Sequence, residues 1–96
     1  MAELRFDWDA RKNSESKRRH GVSFEEARTV FYDDRAILID DPDKDEERFV
    51  LLGLSSVLQI LVVCHCYREQ DAVIRIISAR KANREERADY ERRWRR

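Results

Sequence analysis

The change of hydrophobic period at Asp33-Asp34 constrains the fold of this chain more than any other feature. Before it, Phe24, Ala27, Val30 and Phe31 recur at helical spacing and form a stripe that packs a core. After it, Ala36–Ile39, Arg48–Leu54, Val57–Tyr67 and Ala72–Ala79 are short runs rich in Val, Ile and Leu, which predict four strands. Gly53–Ser56 joins the second run to the third and Arg68–Asp71 the third to the fourth. Connections this short predict an antiparallel meander, with a longer acidic loop over Asp40–Glu47.

Helix signals flank the strands. Phe6-Asp7-Trp8 alternates like a short extra strand and precedes Asp9, an N-cap for a helix over Ala10–Arg19 that His20-Gly21 ends. Val22 acts as a hydrophobic staple, and Ser23-Phe24-Glu25-Glu26 is a capping box opening a second helix through Phe31. Asn83, with Glu86 three residues on, caps a last helix over Arg84–Arg96. The expectation is an α+β chain with two N-terminal helices, a four-stranded sheet and a C-terminal helix. At 96 residues it forms one domain, 1–96.

Composition excludes several classes. The chain is 42% apolar and 42% charged, too apolar for disorder and too punctuated by charge for a membrane span. Its longest apolar stretch, Val57–Cys66, is broken by Gln59 and His65 and falls short of the ~20 residues a spanning helix requires. Met1-Ala2-Glu3-Leu4-Arg5 has no apolar run behind its charges, so a cytoplasmic protein is expected. Cys64 and Cys66 share one face of a strand and His65 points to the other, so neither a disulfide nor a metal site is expected. No cofactor motif is present, and His65 reads as a core histidine.

Zero net charge hides an uneven distribution. Residues 1–32 carry 7 basic and 6 acidic groups, 33–47 carry 2 and 8, and 48–96 carry 11 and 6. Of the 20 basic residues 16 are Arg, a bias suited to bidentate recognition of phosphate or carboxylate; a genome rich in G and C produces the same bias.

Several of these residues can carry chemistry. In the last strand, alternation puts Val73, Arg75, Ile77 and Ala79 on one face and Ile74, Ile76, Ser78 and Arg80 on the other. Arg75 thus interrupts an apolar face and requires a partner such as Glu47, or a ligand-filled groove. Arg80 and Lys81 fall at the strand-to-helix junction, where cations and helix N–H groups converge on phosphate; a solvated helix start looks the same. His20 is placed to transfer protons near neutral pH or to cap its helix. Lys12, Lys17, Arg18 and Arg19 form a basic patch, and Arg92-Arg93-Trp94-Arg95-Arg96 either stacks bases or docks its Trp on the sheet.

Taken together, Phe6-x-Trp8-Asp9, Lys12-Asn13, Arg19-His20-Gly21-Val22-Ser23-Phe24-Glu25-Glu26-Ala27 and Val30-Phe31 resemble the opening of the BrnT family. The resemblance continues through Glu46-Glu47-Arg48, Gly53, Val62-Val63, His65, Arg75-Ile76-Ile77-Ser78-Ala79-Arg80-Lys81, Arg84-Glu85-x-Arg87 and Tyr90. It implies a RelE-like fold and a ribonuclease toxin of a type II toxin-antitoxin pair that inhibits translation. It also implies a BrnA-type ribbon-helix-helix antitoxin as protein partner, which binds promoter DNA, with RNA as substrate and no membrane. The chain departs from the family where an Asn commonly stands four residues before the His, since Ser16 is there, and where Arg19 replaces a frequent Lys.

On that footing, metal-independent cleavage by a ribose 2′-OH is the expected chemistry. Arg75 and Arg80 are the candidates for stabilising the phosphorane, His20 and Lys12 for proton transfer, and Glu47 is a reserve base. Lys81, Arg19, Arg84 and Lys17 are the candidate RNA contacts. The alternative is a non-catalytic module that binds nucleic acid or regulates by binding the antitoxin. A binder would show steep salt dependence without product.

Overall fold

The computed structural model describes residues 4–40 and 47–95, so most of the acidic loop expected over 40–47 lies outside the described residues. The elements in chain order are β1 (Arg5–Asp7), α1 (Ala10–His20), α2 (Phe24–Thr29), β2 (Ile37–Asp40), β3 (Phe49–Leu54), β4 (Ile60–Arg68), β5 (Val73–Lys81) and α3 (Arg84–Arg92). Short 3-10 turns at Val30–Tyr32 and Arg93–Arg95 follow α2 and α3.

Local chemistry explains where the elements end earlier than expected. The second helix tightens after Thr29, whose hydroxyl donates back to the Glu26 carbonyl at 2.6 Å and accepts the Ser56 N–H at 2.9 Å. Strand β4 starts at Ile60, not at Val57 as expected, because Ser55–Gln59 closes a turn. In it the Ser55 hydroxyl donates to Glu26 Oε2 at 2.7 Å and accepts from the Val57 and Gln59 N–H groups. The last helix gives way at Arg93. There Arg93 Nε donates to the Arg35 carbonyl at 2.9 Å, and the Arg35 guanidinium lies 4.0 Å over the Trp94 ring. The Trp of the basic tail is therefore docked, half-exposed, against Arg35 and Tyr90.

Among the described residues the sheet has five strands in the order β1-β5-β4-β3-β2. Strands β2 to β5 pair antiparallel with their sequence neighbours, but β1 pairs parallel to β5, so the expected antiparallel sheet is in fact mixed. A parallel neighbour is possible because β1 and β5 are joined through the whole intervening chain rather than by a hairpin. β1 earns its place through Phe6, which packs edge-on against Phe31 with ring centroids 5.4 Å apart.

Helices α1 and α2 cover one face over a core that includes Phe24, Val30, Leu61, Val63, Ile76 and Ala79. On the other face Tyr90 of α3 packs on Leu52, Val62 and Ala82. Strand β5 carries a one-residue bulge: Cys64 pairs with Ser78 whereas His65 pairs with Ile76, leaving Ile77 unmatched. The bulge reverses the simple alternation. Ile76 and Ala79, three residues apart, both enter the α1/α2 core, and the pairings Cys66–Arg75, Cys64–Ser78 and Val62–Arg80 set Arg75, Ser78 and Arg80 together on the α3 face. The expectation that Arg75 and Arg80 occupy opposite faces is thereby corrected.

Candidate active site

The site is built on the end of α1. Asp9 accepts the Arg11 and Lys12 N–H groups at 2.8 and 3.2 Å and starts the helix. Gly21, at φ 68°, ends it, its N–H reaching the Lys17 carbonyl at 3.0 Å, so His20 is the last helical residue. Two buried polar side chains dock this helix. Asn13 Oδ1 accepts the Phe24 N–H at 2.8 Å while its Nδ2 donates to Glu25 Oε1 at 3.0 Å, a contact that holds the Glu25 carboxyl below its ordinary range. The Ser16 hydroxyl donates to the Ala79 carbonyl at 3.3 Å. Because β1 pairs with β5 only at Val73–Arg75, the rest of that edge lacks a strand and α1 lies along it instead. Ser16, the departure from the family pattern, is thus a structural pin.

Two cavities adjoin where α1 meets the β5 bulge, and His20, Ser78 and Ala79 line both. The smaller, about 150 Å³, adds Lys12, Glu15 and Arg19. The larger, about 300 Å³ on the α3 face of the sheet, adds Arg48, Arg80, Val50, Val62 and Cys64. Lys12, Arg19, His20 and Arg80 therefore line two adjoining cavities that share His20, Ser78 and Ala79. Lys17, Lys81 and Arg84 are exposed and line neither cavity. Glu47 lies elsewhere, in a separate cavity with Phe49, Tyr67 and Asp71.

Ion pairing separates the arginines further. Arg75 donates to Asp7 Oδ2 at 2.6 Å, so its partner is the carboxylate that parallel β1 supplies and not Glu47. Arg80 makes a two-pronged contact with Glu86, Nη1 and Nη2 each 2.8 Å from a carboxylate oxygen. Glu86 also accepts the Asn83 N–H at 2.8 Å and completes the α3 capping box. Its hydrogen bonds from Arg80 hold the Glu86 carboxyl below its ordinary range and raise the Arg80 guanidinium in turn. Arg48, by contrast, has no hydrogen-bond or ion-pair partner among the described residues, and its Nε is buried. Sequence reasoning did not single it out as a site residue; its place two residues before Val50, on the same strand face, was the available signal.

His65 lies in the α1/α2 core, fully buried, 4.7 Å from the Phe31 ring centroid. Its Nδ1 faces the Val63 carbonyl at 3.3 Å and its Nε2 the Tyr67 hydroxyl at 3.4 Å. Burial lowers its pKa. Cys64 is half-buried and Cys66 buried in β4. Among the described residues no helix is long and apolar enough to cross a membrane.

This α+β layout, three helices on a five-stranded mixed sheet, is shared with a solved ribonuclease toxin. The crystal structure of Brucella abortus BrnT matches with a TM-score of 0.66 at 21% identity, over 85% of this chain and 100% of that one. At that identity the likeness establishes the fold. The family follows from the sequence: residues 8–86 match the model of the ribonuclease toxin BrnT of type II toxin-antitoxin systems, and the chain belongs to that family. No curated protein matches the chain.

Proposed function

We propose that this chain cleaves RNA at the cleft between α1 and the β5 bulge and so arrests translation. The observation that carries this reading is that His20 stands where two adjoining cavities meet, one lined by Lys12 and Arg19 and the other by Arg48 and Arg80, in a member of a ribonuclease toxin family. A ribose 2′-oxygen attacks the adjacent phosphorus, its proton passes to a base, the P–O5′ bond breaks, and the leaving oxygen takes a proton from an acid. His20 and Lys12 serve as the proton-transfer pair, because both reach the cleft and neither has a side-chain partner among the described residues. Arg19 and Arg80 stabilise the charge that builds on the phosphorane, Arg80 by exchanging Glu86 for phosphate. Lys17, Lys81 and Arg84 contact the strand outside the cleft. Arg75 and Glu47 stand apart from the reacting phosphate in this scheme.

Metal independence belongs to the same reading, since a cleft lined by four cations and one carboxylate, Glu15, disfavours a divalent ion. We further take the fold to be of the RelE type and the neutralising partner to be a BrnA-type ribbon-helix-helix protein, which alone contacts promoter DNA. The test is cleavage of labelled RNA by purified protein with and without EDTA. Equal cleavage ending in a 2′,3′-cyclic phosphate, lost in His20→Ala at unchanged melting temperature, is expected. Metal dependence, or full activity of His20→Ala, would overturn the mechanism.

The carboxylate locks on Arg75 and Arg80 favour one competing reading, a module that binds RNA without cutting it. Such a module leaves the RNA intact, and its expression alone leaves growth unaffected.

A further inference from the structure

The larger cavity holds a feature that cleavage chemistry at His20 does not use. Its floor is apolar, formed by Val50, Val62 and Cys64 on the α3 face of the sheet, and two guanidinium groups line it, those of Arg48 and Arg80. Arg80 is committed to Glu86 through both terminal nitrogens. Arg48 is committed to nothing among the described residues, although its Nε is buried and a guanidinium without a partner is costly to cover. A half-buried cation with unused donors, its Nε covered, beside an apolar floor fits a ligand that is flat and apolar on one part and anionic on another. At about 300 Å³ the cavity lies at the lower end of the range for small-molecule sites, a size suited to one nucleotide.

We propose that this cavity is a nucleotide subsite for single-stranded RNA, in which one base lies against Val50, Val62 and Cys64 and Arg48 donates to the phosphate attached to it. The inference rests on the RNA-directed reading above and extends it. His20, which lines both cavities, then sits between two adjacent nucleotides, one held by Lys12 and Arg19 and the other by Arg48. Occupation of the subsite requires an unpaired strand, because a base within a duplex cannot leave its stack to meet the sheet without a cost of a few kcal/mol. Single-stranded RNA is thus the substrate class, and Arg48 is its positioning cation.

The experiment uses the full chain and a short single-stranded oligonucleotide with 2′-fluoro riboses, which lack the attacking hydroxyl and report binding alone. Arg48→Ala should weaken binding roughly tenfold and lower the salt slope of log affinity by about one. Arg48→Lys, which keeps the charge, should recover part of the affinity. An independent readout needs no variant: Cys64 lines the cavity, so bound oligonucleotide should slow its alkylation in the wild-type protein. Duplex RNA of the same sequence should not protect it. Unchanged affinity and slope in a folded Arg48→Ala protein, or equal alkylation of Cys64 with and without the single strand, overturns the subsite. If wild-type protein binds and protects but never cuts natural RNA, the cleavage reading fails while the subsite stands.

Discussion

Tyr90→Phe removes one hydroxyl from beneath α3 and leaves the ring. That hydroxyl is the hub of a small network: it donates to Asp33 Oδ2 at 2.6 Å, the same oxygen accepts the Leu54 N–H at 2.8 Å, and Asp33 Oδ1 accepts the Arg35 N–H at 3.0 Å. Burial pushes the Asp33 carboxyl up, but the hydrogen bonds from Tyr90, Leu54 and Arg35 outweigh it and hold the group below its ordinary value of 3.8. The Tyr90 phenol, buried and bonded to that carboxylate, is pushed up to about 12. A hydrogen bond to a charged group contributes about 1.5–3 kcal/mol. Asp33 Oδ2 keeps the Leu54 N–H when the hydroxyl is gone, so the loss should fall near the lower bound, about 1.5–2 kcal/mol. For a chain of 96 residues this lowers the melting temperature by roughly 6–16 °C. Urea unfolding followed by circular dichroism at pH 7 measures it, with the m-value expected to stay constant. The sign in acid follows from linkage. A carboxyl depressed in the folded state contributes stability that is full above its unfolded pKa and is lost as pH falls through the folded one. The penalty of Tyr90→Phe should therefore shrink below about pH 4, as Asp33 protonates in both proteins. A penalty under about 0.5 kcal/mol at neutral pH, within the ordinary scatter of surface substitutions, refutes the network. So does one that stays constant into acid.

Asn13→Ala leaves the buried Phe24 N–H without an acceptor and unties α1 from α2; unfolding in urea should show a loss of about 1–3 kcal/mol. Gly53→Ala places a Cβ 2.8 Å from Val30 Cγ1 and 2.9 Å from Ala36 Cβ, so overpacking should cost about 1–3 kcal/mol, and an unchanged melting temperature contradicts the packing described for β3. His65, whose pKa burial lowers, stabilises the fold fully above its ordinary value of 6.5, and that contribution is lost as pH falls through the folded value. His65→Phe should flatten the dependence of the urea midpoint on pH between 7 and about 5; an equal slope in both proteins argues against a neutral core histidine.

What was legible in the sequence was whatever local chemistry decides. Asp9, Ser23 and Asn83 are caps because a short polar side chain before a helical run has N–H groups to accept, and each cap forms. The strand content was legible for the same reason, and so was the burial of His65 within the most apolar run. The sheet edge was not. Parallel β1 is only three residues long, too short to reveal its neighbour by periodicity, yet it supplies the Asp7 carboxylate that occupies Arg75. The bulge at Ile77 was hidden as well, because the alternating pattern of Val73–Lys81 admits two registers. The choice between them comes from Ile76 and Ala79 both filling the space under α1 and α2.

These two unread features reorder the candidate site. Alternation made Arg75 a charge that needs either a carboxylate such as Glu47 or a ligand, and β1 supplies a different carboxylate, Asp7. The capping box that was legible at Asn83-x-x-Glu86 does the same to Arg80, since one carboxylate serves both the helix terminus and the guanidinium. The arginine-rich C-terminal segment thus acts first as a folding device that fastens β1 and α3 to β5. The uncommitted cations come from α1 and from the residue just before β3: Lys12, Arg19 and Arg48 line the cavities without a carboxylate partner among the described residues. A protein that must hold RNA at zero net charge has to concentrate its free cations where opposing carboxylates are absent. In this chain Asp9 and Glu86 close helix starts and Asp7 pairs at the β1 edge, away from those cations.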